Sequence, residues 1–159
     1  MPGRAAEFAS AFRSVVKKNA EESTKPWGNN AATEYFIRLA VGTSHWLFSR
    51  RQIRPYVHVS GTTAFNAQGE IVGAGDPYAQ AIQAMRNIEE ALAKAGAKLT
   101  DVVRTRLFLT HITDWKEIGR AHGDIFGKVR PASTVIEVNH LVAPEMLVEI
   151  EADAFIGKE

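Results

Sequence analysis

Between Tyr56 and Phe155 the apolar pattern passes from strand period to helix period and back, twice. That alternation restricts the chain to strands and helices laid down as separate layers. Tyr56–Ser60 (YVHVS) sets Val57 and Val59 on one face and His58 and Ser60 on the other, with Gly61 expected to end the strand. Asn66–Gly69 reads as a turn. Asp76-Pro77 then opens a helix: the aspartate accepts from an orphan backbone N–H, and proline takes the first helical position, where no donor is needed. Ile82, Met85, Ile88 and Leu92 form its buried stripe, and Gly96 stands past its end. Asp101–Thr110 is the next strand. A second helix starts at Asp114, whose spacing to Glu117 fits a capping box, with Trp115, Ile118, His122 and Ile125 on one face and Trp115 expected to pack. Strands over Ser133–Asn139 and Met146–Phe155 complete a β-β-α-β-α-β-β order. The expected class is α+β, with two helices on one face of a sheet. Self-association is the economical way to cover the other face.

Residues 1–41 differ from the rest and read as an N-terminal extension, with a domain over 42–159. Phe8, Phe12, Val15 and Val16 fall at helical spacing among Arg4, Arg13, Lys17 and Lys18. A basic amphipathic start of this kind has two readings: a helix packed on the domain or left loose, or a mitochondrial transit segment. The stretch from Glu21 to Asn30 reads as a linker, and the more apolar Ala31–Val41 as a segment that docks on the core. The expected compartment is the cytoplasm, with the mitochondrion as the alternative.

Composition excludes several chemistries. The sequence has no cysteine, so thiolate metal sites and cysteine nucleophiles are ruled out. Lys and Arg total 19 against 18 Asp and Glu, which leaves no basic footprint for nucleic acid. No apolar run is long enough to span a bilayer. His45, His58, His111 and His140 show no metal-ligand spacing, so no metal is expected.

Glu149, Glu151 and Asp153 alternate with Ile150, Ala152 and Ala154, so the acids share one face. One reading makes Glu149 a general base or water-positioner in a cleft. The other pairs the acids with Arg104 and Arg106 across neighbouring strands, and it is the favoured reading for Glu151 and Asp153. Arg130 precedes proline and is expected to be extended, which would let it reach a cleft. Arg120 and His122 lie on the second helix. Each arginine reads alternatively as a solvated surface group, and His122 as a satisfied, partly buried histidine.

Four stretches together resemble the Rid (YjgF/RidA, L-PSP) family: Val59-Ser60-Gly61, Asn87–Gly96, Arg130–Val138 and Val148–Ala152, in that order across Trp46–Gly157. The resemblance implies a chorismate-mutase-like fold, a homotrimer with ligand clefts between subunits, no cofactor, and hydrolysis of small enamines or imines such as 2-aminoacrylate. In active deaminases of that family, Pro-Ala is followed by an arginine that clamps the substrate carboxylate. Here Pro131-Ala132 is followed by Ser133, and a hydroxyl cannot replace a guanidinium fork. The family's tyrosine near the domain start falls at Phe48, and its helix asparagine at Gly119. Ser60 and Glu149 keep the family's serine and glutamate. The resulting candidates are Glu149 and Ser60 as catalytic groups, with Ser133, Phe48, Arg130, Arg120 and His122 around the ligand. The functions they allow are a Rid-like hydrolase or deaminase, a non-catalytic small-molecule-binding or regulatory trimer, and, ranked last, an endoribonuclease.

Overall fold

The computed structural model describes residues 32–37, 47–53 and 55–157, the first two segments by their backbone. The basic start, the linker, His45 and Trp46 lie outside the described residues. Strands β1 (Ala32–Ile37), β2 (Leu47–Ile53) and β3 (Tyr56–Thr62) come first. Helix α1 (Pro77–Lys94), β4 (Val102–Leu109), helix α2 (Trp115–Phe126), β5 (Ala132–Glu137) and β6 (Val148–Phe155) follow. They form a six-stranded sheet in the order β1-β2-β3-β6-β4-β5. Every pairing is antiparallel except β4 with β5. This is the expected α+β class, with one strand more than the pattern showed. That strand, β1, falls inside the segment read as an extension, so the sheet reaches back past residue 42.

Sequence chemistry fixes α1 at both ends. The Asp76 carboxylate accepts from the Ala79 N–H at 3.0 Å, one of the donors no helical carbonyl can reach. At the other end Gly96 adopts a φ of 77°, which lets Ala97 N–H reach Leu92 O at 2.9 Å and Gly96 N–H reach Ala93 O at 3.0 Å. These are the crossed bonds of a Schellman ending. Ala81, Ala84, Met85, Ile88 and Leu92 are buried, while Ile82 is only partly so, which centres the stripe one residue from where it was expected. This face packs on the strands that carry Val57, Val59, Val148, Ile150, Ala152 and Ala154.

The start of α2 departs from expectation. Residues Ile112–Asp114 form a 3-10 turn, Asp114 is itself helical in backbone angles, and its side chain makes no cap bond. Glu117 consequently does not complete a capping box. It pairs instead with Arg120 at 2.6 Å. Trp115, expected to pack, is exposed. Ile118, Ala121 and Phe126 carry the buried face of the helix.

β3 does not end at Gly61. The register runs Val59↔Ala152 and then Thr62↔Ile150, so β3 carries one residue more than β6 between those pairs. This is a β-bulge at Ser60-Gly61, a device that re-aims side chains at the rim of a sheet.

Candidate functional site

On the face of the sheet away from the helices, the acids of β6 meet three different environments. Glu151 pairs with Arg106 across β4 at 2.8 Å, as the alternation predicts. Asp153 lies opposite Arg104 in register but takes its partner from the other neighbour, His58 of β3, at 2.8 Å. Glu149 stands opposite Phe108, which offers its carboxylate nothing. Among the described residues, no hydrogen bond or ion pair reaches it.

The Glu149 carboxylate lies over the bulge, directly above Gly61. A Cβ built on Gly61 would overlap Oε1 and come within 2.6 Å of Cδ. Glycine is therefore needed here for the close approach. Burial pushes the Glu149 carboxyl above the usual glutamate range, and the neighbouring Glu151 charge adds to the rise. Ser60, half-buried in the same bulge, accepts a 2.9 Å bond at its carbonyl from the Thr62 hydroxyl. Its own hydroxyl bonds to none of the described residues.

A second cluster lies on the helical face. β4 and β5 run parallel with Thr105 opposite Ser133, so both side chains point toward α2. Thr105 is fully buried, and its hydroxyl lies 2.8 Å from Ser133 Oγ and 3.0 Å from His122 Nε2. Ser133 Oγ donates to the Pro131 carbonyl at 3.1 Å. The His122 ring leans on Phe126 with centroids 4.9 Å apart, and burial lowers its pKa, so the imidazole is held neutral. Thr105 was missed in the sequence. Its signal was its place on the same face as Leu107 and Leu109, since a hydroxyl on a buried face must find a partner.

The arginines do not join either group. Arg130 is not extended: its φ of 54° is left-handed. Its N–H closes the end of α2 on Phe126 O at 2.8 Å, and its Nε donates to Gly127 O at 3.3 Å. The helix ending overrides the preference of a residue before proline. Arg120 is exposed, paired with Glu117 and stacked 3.9 Å above the Tyr78 ring, whose hydroxyl donates to Asp124 at 2.8 Å. Phe48 lies in β2 in register with Phe36 of β1. Among the described residues no three His, Asp or Glu side chains gather as a metal site, and no helix is long and apolar enough to cross a membrane.

The candidates thus fall into two half-sites with the sheet between them: Glu149 and Ser60 on the open face, Ser133 and His122 on the helical face.

Residues 46–156 match the family described as Endoribonuclease L-PSP. An uncharacterized protein of Streptomyces coelicolor is 40% identical over 101 residues, which span 64% of this chain and 75% of that one. The crystal structure of a Mycobacterium tuberculosis member of the YjgF/YER057c/UK114 family superposes with a TM-score of 0.62 at 47% identity, covering 69% of this chain and 86% of that one. The Escherichia coli YjgF gene product gives 0.64 at 27% identity, covering 73% and 90%. With the family match over most of its length, and the same α+β layering in its structural relatives, the chain belongs to the Endoribonuclease L-PSP family, the YjgF or Rid proteins.

Proposed function

We propose that this protein is a homotrimeric hydrolase or deaminase of a small enamine, imine or related metabolite, working in clefts between subunits. The observation that carries this reading is the Glu149 carboxylate, half-buried, without a partner among the described residues and held over a bulge that needs glycine to admit it. A carboxyl with no cation beside it among the described residues, its pKa raised by burial, gives up and takes back a proton more readily than an exposed glutamate, as a general base or water-positioning group requires. Ser60 in the same bulge supplies a hydroxyl to hold the reacting group. In this reading the half-sites are joined by association, with exposed Ser133 of one copy facing the Glu149 bulge of the next.

The test is 2-aminoacrylate hydrolysis by the native protein and by Glu149→Gln. Turnover should fall by about 100-fold or more in the variant, with the assembly unchanged in light scattering. Unaltered turnover would remove Glu149 from the chemistry. The same variant has a stability signature. A glutamate raised in the native state binds more protons folded than unfolded, so it costs stability as pH rises above its ordinary 4.5. Glu149→Gln should therefore melt higher than the native protein at pH 7, and the gain should vanish below pH 4.5.

A second reading, a non-catalytic binder or regulator with the same cleft, is favoured by Ser133, which leaves the helical half-site without a cation among the described residues. Ribonuclease activity has the least support, given the near balance of 19 basic and 18 acidic residues.

A further inference from the structure

The hydrogen inventory of the Ser133 cluster determines what it can offer a ligand. A carbonyl oxygen only accepts, so the bond between Ser133 Oγ and Pro131 O uses the serine hydrogen. The 2.8 Å contact between the hydroxyls must then be made by the Thr105 hydrogen, with Ser133 Oγ accepting. With its hydrogen committed, Thr105 can only accept at its 3.0 Å contact with His122, so Nε2 carries the imidazole proton. This is the one assignment that satisfies all three bonds, and it agrees with a neutral ring. The remaining contact, Ser133 Oγ to His122 Nε2 at 3.5 Å, is too long to compete.

All three hydrogens therefore point inward. What remains on the exposed Ser133 is a lone pair of Oγ. An arginine at this position would present donors alone and select a carboxylate. The hydroxyl chain reverses that polarity.

Building on the inter-subunit reading above, we propose that Ser133, fixed by Thr105 and His122, is a hydrogen-bond acceptor site that recognises its ligand through a hydroxyl or amide N–H. Thr105 and His122 act as positioning residues, since neither needs to touch the ligand. A carboxylate is disfavoured twice: it brings no donor, and the cluster has no positive charge. A neutral carbonyl without an N–H is disfavoured as well, because the serine would have to leave Pro131 to serve it.

The experiment uses three probes of matched size on the full chain: butanamide, butanoate and 2-butanone. Binding is read from the amide resonances of Thr105, Ser133 and His122 in NMR titrations, which require neither turnover nor Glu149. Butanamide should bind on the order of tenfold more tightly than either other probe. Ser133→Ala should erase the preference, and Ser133→Arg should transfer it to butanoate. Ser133→Gly, which removes the same acceptor, should repeat the loss if Ser133→Ala does not fold. Equal binding of 2-butanone and butanamide would overturn the proposal, showing selection by charge alone. Butanoate binding as tightly as butanamide, or no probe shifting these resonances, would overturn it too. A protein that turns over no enamine yet keeps the butanamide preference would sink the hydrolase reading and leave this one standing.

Discussion

Gly61→Ala is expected to fold normally and to lose turnover nearly as completely as Glu149→Gln. The added Cβ would occupy the space of Glu149 Oε1 and press to 2.6 Å from Cδ. What has to yield is the far end of a flexible side chain, not backbone, and Gly61 is not among the positive-φ residues, so alanine brings no conformational penalty of that kind. The carboxylate will swing out over the sheet toward solvent. Two measurements separate this outcome from misfolding. The melting temperature should stay within a few degrees of the native value, because no buried apolar contact is lost. Turnover of 2-aminoacrylate should fall by about 100-fold or more, the scale of a lost proton-transfer group. Retained activity would mean that the position of the carboxylate over the bulge is incidental, and the functional assignment of Glu149 would fall with it.

The second large effect is expected at Gln80, whose side chain is fully buried at the start of α1. Its amide nitrogen donates to Glu145 O at 2.8 Å and Gly73 O at 3.2 Å, and its carbonyl accepts from Leu147 N–H at 2.9 Å. One side chain thus ties the loop before α1 and the entry to β6 to the helix. Gln80→Leu fills the same volume but leaves the Leu147 donor and the Glu145 acceptor unserved. Each unsatisfied group costs roughly 1–3 kcal/mol, so a loss of about 2–4 kcal/mol follows. That is on the order of a 10 °C fall in Tm for a domain of this size, to be measured at fixed protein concentration, since any self-association would add to stability. Gln80→Glu keeps the acceptor for Leu147 but places a carboxylate against two carbonyl oxygens, so it should not rescue. A change of a degree or two in Gln80→Leu would mean that water replaces the side chain in all three bonds.

The layering of this fold was legible because its signals are local. Asp76-Pro77 and Gly96 bracket α1 through bonds made within a few residues of each end, and the alternation of Val148–Phe155 assigns its acids to one face whatever strand lies beside it. What could not be read depends on partners remote in sequence. The bulge at Ser60-Gly61 exists only relative to β6, so the strand seemed to end where it gains a residue. Asp153 was expected to pair with an arginine of the neighbouring strand, and it does lie opposite Arg104, but it pairs with His58 of β3 instead. Arg130 obeys the ending of the preceding helix and not the rule for residues before proline. Among the candidates, Glu149, Ser60, Ser133 and His122 were nominated from the sequence, but not their division between two faces. That division follows from the parallel pairing of β5 with β4.

β5 has a further consequence for the life of a newly made chain. It is the last strand of the sheet, all six of its residues are exposed, and Val135 and Ile136 are among them. A row of open backbone donors and acceptors beside such residues is a template for any extended segment that arrives first. While this border stays open, the chain is in a race between its proper contacts and chance pairing, and high concentration quickens the second runner. Production of the protein is therefore a problem of timing as much as of stability: slow synthesis at low temperature favours correct partners over tangled ones.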